Sequence, residues 1–109
     1  MGQLSECTEN LVRAIRCSGD YVRYTEAEKE LQKEPELKKQ VDEYRLRVFR
    51  LQESRQDLYE HSDYLQKEYE SLLRNPLAAE YLDAESAVCR LLQRIVWKIS
   101  EGAAVELPR

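Results

Sequence analysis

Residues 37–51 read LKKQVDEYRLRVFRL, and this stretch decides the fold. Four apolar residues and one tyrosine recur in it at alternating steps of four and three, at Leu37, Val41, Tyr44, Val48 and Leu51. That spacing is the heptad pattern of a long helix with one apolar side. Such a seam favours left-handed packing against another long helix. The heptad seam therefore predicts an all-α protein built from helical hairpins or a helical bundle.

The same spacing continues beyond Leu51, through Arg55, Leu58, Ser62, Leu65, Tyr69 and Leu72. Two interpretations are open. Either one helix runs from Glu36 to Leu72, or the helix breaks near His61-Ser62-Asp63, which contains two candidate N-cap residues. We favour the break, because it lets the two pieces fold back on each other as a hairpin.

Glycine and proline residues mark the ends of the other predicted helices. Gly19 is expected to end the first helix in the left-handed conformation, and Asp20 to cap the second. Pro35 forces a boundary before the seam. Asn75-Pro76 is a strong start signal, because Asn caps a helix and Pro suits its first position. About five helices are expected, and those outside the seam cover roughly residues 4–17, 21–33 and 76–101.

Length and charge set the class of protein. The 109 residues carry 17 Lys and Arg against 21 Asp and Glu, a net charge of −4, so we expect one domain over residues 1–109. Residues 103–109 are expected to form a loose tail. An acidic chain lacks the broad basic surface of a nucleic-acid binder, so direct contact with nucleic acid is not expected. No signal peptide and no membrane span are recognisable, which predicts a cytoplasmic protein.

Few residues of the chain are of the types that catalyse reactions or ligate metals. The chain has a single histidine and no converging set of catalytic residue types, so an enzyme is not expected. Cys7, Cys17 and Cys89 form no C-x-x-C pair, and we interpret them as small buried apolar residues. The alternative is iron–sulfur ligation or redox sensing, which needs thiolates shared between subunits because a cluster normally takes four.

Arginines are concentrated beside the heptad seam. Arg45 and Arg47 flank it and Arg55 lies on it, so they are predicted to pair with acidic residues of a facing helix and to tune the choice of partner. The alternative hypothesis is direct RNA binding by the patch from Arg45 to Arg55. That hypothesis requires a steep salt dependence of affinity.

Three stretches occur together in a characteristic order. They are Tyr21-x-x-Tyr24-x-x-Ala27-x-x-x-Leu31 followed by Glu34-Pro35-Glu36, then the long charged run that opens with Leu37 to Tyr44, and finally Asn75-Pro76 with Glu80-Tyr81-x-x-Ala84-Glu85, Leu91-Leu92 and Ile95. This order resembles the YlbF/YmcA family of small bacterial regulators, which includes YheA-like proteins. The resemblance covers roughly Glu9 to Glu101. One departure is Glu34, where the family usually has Asp before the proline.

The resemblance implies an all-α fold of helical hairpins, often paired as an intertwined homodimer, and a non-catalytic role. Members of the family act in complexes that modulate competence, sporulation and biofilm development, and as specificity partners of the endoribonuclease RNase Y in mRNA maturation. Some such complexes carry iron–sulfur clusters. No motif maps those ligands onto the cysteines of this chain, so no cofactor is expected.

We therefore expect a regulatory adaptor that binds itself and other proteins, among them family paralogues and an endoribonuclease. The predicted contact surface is the heptad seam with its flanking arginines. Its residues are Leu37, Val41, Tyr44, Arg45, Arg47, Val48, Leu51, Arg55 and Leu58.

Overall fold

A computed structural model describes residues 2–54 and 58–104, apart from the side chains of residues 54 and 58–62. These residues form six α-helices and no strand, which confirms the predicted all-α fold with one helix more than expected. The helices are α1 (Gly2–Arg16), α2 (Gly19–Gln32), α3 (Pro35–Ser54), α4 (Leu58–Glu68), α5 (Glu70–Arg74) and α6 (Pro76–Gly102).

The chain divides into two compact units. Unit 1 comprises Met1–Glu26 and Asp83–Arg109, and unit 2 comprises Ala27–Leu82. The fully described residues that are buried lie mainly in unit 2, at Ala27, Leu31, Val41, Leu65, Leu72, Ala78 and Tyr81. Those of unit 1 are Ala84 and Ser100. Most of the described apolar core therefore belongs to unit 2, and the expectation of one domain over residues 1–109 stays a prediction.

The heptad seam forms the inner side of α3 in unit 2. Val41 has no exposed surface, and Leu37, Tyr44, Val48 and Leu51 are half-buried. α3 contacts both α4 and α5, where Leu65 and Leu72 are buried at later positions of the same spacing. The chain thus folds back on itself as the sequence predicts, and the helices that α3 packs on in this unit belong to the same chain.

The position of the predicted break is wrong. α4 is helical from Leu58 to Glu68 and continues through His61-Ser62-Asp63. α3 ends earlier, at Ser54, and residues 55–57 lie outside the described residues. The alternative of one helix to Leu72 is also wrong, because Tyr69 separates α4 from α5. Ser and Asp disfavour a helix interior by only about 0.7 kcal/mol each, so packing of α4 on α3 outweighs their preference for a cap.

The turn between α1 and α2 also differs from the prediction. Gly19 is the first residue of α2 and does not have a positive φ. The cap is Ser18, whose Oγ accepts a hydrogen bond of 3.3 Å from the Tyr21 N–H and donates one of 2.6 Å to the Ile15 carbonyl. Ser18 takes this role because a hydroxyl at the residue before the helix reaches the third helical amide.

The predicted start of α6 is confirmed. Asn75 Oδ1 accepts hydrogen bonds from the N–H groups of Leu77 and Ala78, at 3.0 and 3.2 Å. Pro76 is the first residue of the helix, where its missing N–H costs nothing. α6 ends at Gly102, also as predicted, and the left-handed residue that follows is Ala104, with φ of 56°.

An ion pair joins α2 to α6 within unit 1. Arg23 Nη2 donates to Asp83 Oδ2 at 2.7 Å. This hydrogen bond and the charge of Arg23 hold the pKa of the Asp83 carboxyl below its ordinary value. The pair is solvent-exposed, so its contribution to folding is small and depends on pH.

We expect Asn75→Ala to lower the free energy of unfolding by about 1 kcal/mol, because two amides at the start of α6 lose their acceptor. Urea unfolding followed by circular dichroism measures this. Ser71→Ala, at an exposed position of α5, is the matched control and should leave the midpoint unchanged. An unchanged midpoint for Asn75→Ala would contradict the assigned cap.

We expect Asp83→Asn to lower the melting temperature slightly at pH 7 and not at about pH 2. A carboxyl whose pKa is lowered by folding stabilises the fold above its ordinary pKa of about 3.9, and this contribution is lost as the pH falls through the lower folded value. Thermal melts at both pH values test it, with the exposed Asp63→Asn as control. A difference between wild type and Asp83→Asn that persists at low pH would show that the ion pair is not its cause.

Candidate protein-binding surface

Arg47 links α3 to α4. Its Nη1 lies 2.6 Å from Glu68 Oε1 and 3.3 Å from the Tyr69 hydroxyl, to which it donates. The guanidinium also lies 5.5 Å from the centroid of the Tyr69 ring, and that ring meets Tyr44 edge-on at 5.2 Å. Arg47 therefore makes an ion pair with a facing helix, as predicted, and the acidic residue belongs to its own chain.

The hydrogen bond to Glu68 raises the pKa of the Arg47 guanidinium above its ordinary value, and the bond to Tyr69 adds to this. Arginine is already charged at every pH at which proteins fold. Arg47 thus stays charged while it bridges α3 and α4, and it does not act as a group that exchanges protons.

Arg45 contacts a different helix. Its guanidinium carbon lies 5.8 Å from the centroid of the buried Tyr81 ring on α6, and its Nη1 lies 3.8 Å from Asp42 Oδ1. Two arginines of the Arg45–Arg55 patch are thus engaged inside unit 2. Arg55 lies outside the described residues, and Arg50 is exposed on α3.

The apolar members of the predicted contact surface face inward within unit 2. Val41 is fully buried, and Tyr44 packs on Tyr69. Leu58 begins α4, but its side chain is not among those described. These residues stabilise the α3–α4–α5 packing, and their contact with a partner stays a prediction.

Sequence reasoning missed two apolar residues on the outer side of α3. Leu46 is 47% exposed and Phe49 is 58% exposed, and a spacing of three puts them on one side of the helix. A shallow depression of about 410 Å³ begins at Leu46 and runs along α3 towards Pro35 and the end of α2. The signal that could have found this pair is its position off the seam, since a soluble helix normally carries polar residues there.

α1 presents a second exposed apolar face, in unit 1. Leu4, Cys7, Leu11 and Ile15 follow one another at steps of three and four along one side of the helix, but none of the residues of α1 is buried. Leu4 is 69% exposed, Leu11 is 36% exposed, and Val12 is also exposed. A helix of 15 residues is marginal in water without packing, so the uncovered apolar face makes α1 a second candidate contact surface.

The expectation that the cysteines are buried is wrong. Cys7, Cys17 and Cys89 are all exposed, and each is a free thiol. Cys7 is exposed because it lies on the uncovered face of α1. No group of three or more His, Cys, Asp or Glu side chains suited to hold a metal ion occurs among the described residues.

Comparison with known proteins identifies the family. A family model described as control of competence regulator ComK, YlbF/YmcA, matches residues 5–103. Neither a curated protein nor a solved structure matches the chain. Among the described helices, none is both long enough and apolar enough to cross a membrane. The family match spans nearly the whole chain and confirms the resemblance seen in the sequence: the chain belongs to the YlbF/YmcA family of competence regulators.

Proposed function

We propose that the chain is a non-catalytic regulatory adaptor that acts by binding a second copy of itself and other proteins. The observation that carries this proposal is the exposure of Leu46 and Phe49 on the outer side of α3. The family's description as a regulator of competence control supports it, because such a role is exercised on other proteins.

The outer side of α3 has the composition of a docking surface. Burying a leucine or phenylalanine side chain in an interface stabilises it by roughly 1.5–3 kcal/mol relative to leaving that side chain in water. Arg50 is exposed beside the apolar pair, which gives an apolar centre with a charged residue at its margin. This arrangement suits a partner that brings apolar side chains surrounded by acidic residues.

The uncovered face of α1 supports the same proposal from unit 1. Leu4 and Leu11 share one side of that helix and remain in contact with water. A partner that covers them supplies the burial that α1 lacks within the chain. We propose a second copy of the chain for at least one of the two surfaces.

The identity of the partners and the process in which they act are proposed from the family resemblance. We propose that the partners include family paralogues and an endoribonuclease of the RNase Y type, and that the complex acts in the cytoplasm on mRNA processing linked to competence, sporulation or biofilm formation. The heptad seam and its arginines are retained as a proposed contribution to assembly, alongside the outer side of α3.

We expect the wild-type chain to show a mass above 12.9 kDa in solution, and Leu46→Glu with Phe49→Glu to lower that mass towards a single chain. Two charges in place of two exposed apolar side chains oppose burial in an interface and leave the fold intact. Light scattering coupled to gel filtration gives the mass, and circular dichroism checks the helix content.

The matched control is Lys67→Glu, which makes the same change in net charge at an exposed position of α4. It should leave the mass unchanged. A double variant with the wild-type mass would exclude the outer side of α3 as the contact. A wild-type mass of one chain at every concentration would exclude self-association.

The seam is tested by Val48→Asp with Leu51→Asp. Both residues are half-buried on the inner side of α3, so we expect a loss of about 2 kcal/mol or more in unfolding free energy. Urea unfolding measures what the two residues contribute to the core, and light scattering measures what they contribute to association. If the mass falls and the unfolding midpoint does not, the seam is a partner surface and not part of the core.

A further inference from the structure

A row of cations lies on one side of α6 in unit 1. Arg90, Arg94 and Lys98 follow one another at steps of four residues, so they share one side and stand about 6 Å apart along the axis. All three are exposed. Within the described part of the chain, Arg94 and Lys98 form no ion pair. We name these three residues the α6 basic row.

An aromatic ring lies within the same side of the helix. Trp97 is 49% exposed and lies three residues after Arg94, beside it on the same side of α6, with Gln93 one turn earlier. The residues of the row, together with Gln93, Trp97 and Glu101, line a shallow open depression of about 490 Å³ on this side of α6. Trp97 is the single tryptophan of the chain.

We infer that the α6 basic row and Trp97 bind a short segment of single-stranded nucleic acid. The cations contact successive phosphates, and the indole stacks on a base exposed between them. Grooves that bind single strands combine these two features, a line of positive charge along the backbone and an aromatic platform for bases. An acidic peptide would match the cations, but it would offer no planar base for the ring.

The net charge of the whole chain does not oppose this inference. The expectation that the protein avoids nucleic acid came from the overall balance of −4. Residues 86–100 contain the three cations of the row and no acidic residue. The positive charge is therefore concentrated on this stretch of α6, although the chain as a whole is acidic. Glu101 at the end of the stretch limits the site to a few nucleotides.

The α6 basic row also suits nucleic acid better than the arginines of α3 do. Arg47 is paired with Glu68, and Arg45 lies against Tyr81 and Asp42, so their charge is engaged inside unit 2. The site on α6 does not depend on the proposed protein contacts of α3, and either can fail without the other.

The test titrates the full chain with a short oligouridylate, and in parallel with an oligodeoxythymidylate of the same length, while the fluorescence of Trp97 is recorded. Stacking of a base should quench that fluorescence in a saturable way. The logarithm of the affinity should fall with the logarithm of salt concentration with a slope of about −2, since each phosphate contact on a single strand contributes about −0.7.

Variants then assign the contacts, with fluorescence anisotropy of a labelled strand as the readout. Arg90→Gln, Arg94→Gln and Lys98→Gln together should reduce the affinity at least tenfold and bring the salt slope near zero. Each single variant should reduce the slope by about 0.7. Trp97→Leu should weaken binding about tenfold and keep the slope, because it removes stacking and no charge.

The matched control removes three exposed cations elsewhere, with Lys29→Gln, Lys67→Gln and Arg74→Gln, and should bind as wild type does. Equal losses in the two triple variants would overturn the inference, and so would the absence of binding to either strand at low salt. Binding of polyglutamate in place of the strands, with the same dependence on the row, would also overturn it. If circular dichroism shows that the triple variant on α6 loses helix, the slopes of the single variants decide.

Discussion

The packing of α3 on α4 and α5 is the contact on which unit 2 depends. Val41 is fully buried in it, the rings of Tyr44 and Tyr69 meet edge-on, and Arg47 pairs with Glu68 across the two helices. These contacts turn the seam side of α3 inward. The side of α3 that stays exposed is the outer one, where Leu46 and Phe49 lie, so α3 has a core side and a proposed docking side.

Unit 1 differs from unit 2, because few of its described residues are buried and several of its large apolar side chains are exposed. Among its described residues only Ala84 and Ser100 are buried, whereas Leu4, Leu11 and Ile99 are all exposed. An isolated helix of the length of α1 gains too little from its own hydrogen bonds to be stable in water. A regulator that acts by association can carry such a helix, since binding a partner then supplies burial that folding alone does not.

The sequence predicted the elements whose signals are local or periodic. The alternation of fours and threes located the inner side of α3, and Asn75-Pro76 located the start of α6. The sequence misplaced the break because cap preferences of Ser and Asp are weak beside tertiary packing. The exposure of the cysteines and of the pair Leu46 and Phe49 could not be predicted either. The spacing of apolar residues shows which side of a helix they share, but not whether that side is buried within the chain.

The most direct measurement is amide hydrogen exchange of α1 in the full chain at low and high micromolar concentrations. If a second copy covers the apolar face of α1, protection over Gly2–Arg16 should rise with concentration, in step with the fraction of associated protein. Protection that stays absent at every concentration would contradict the central claim that association with a second copy of the chain completes this fold.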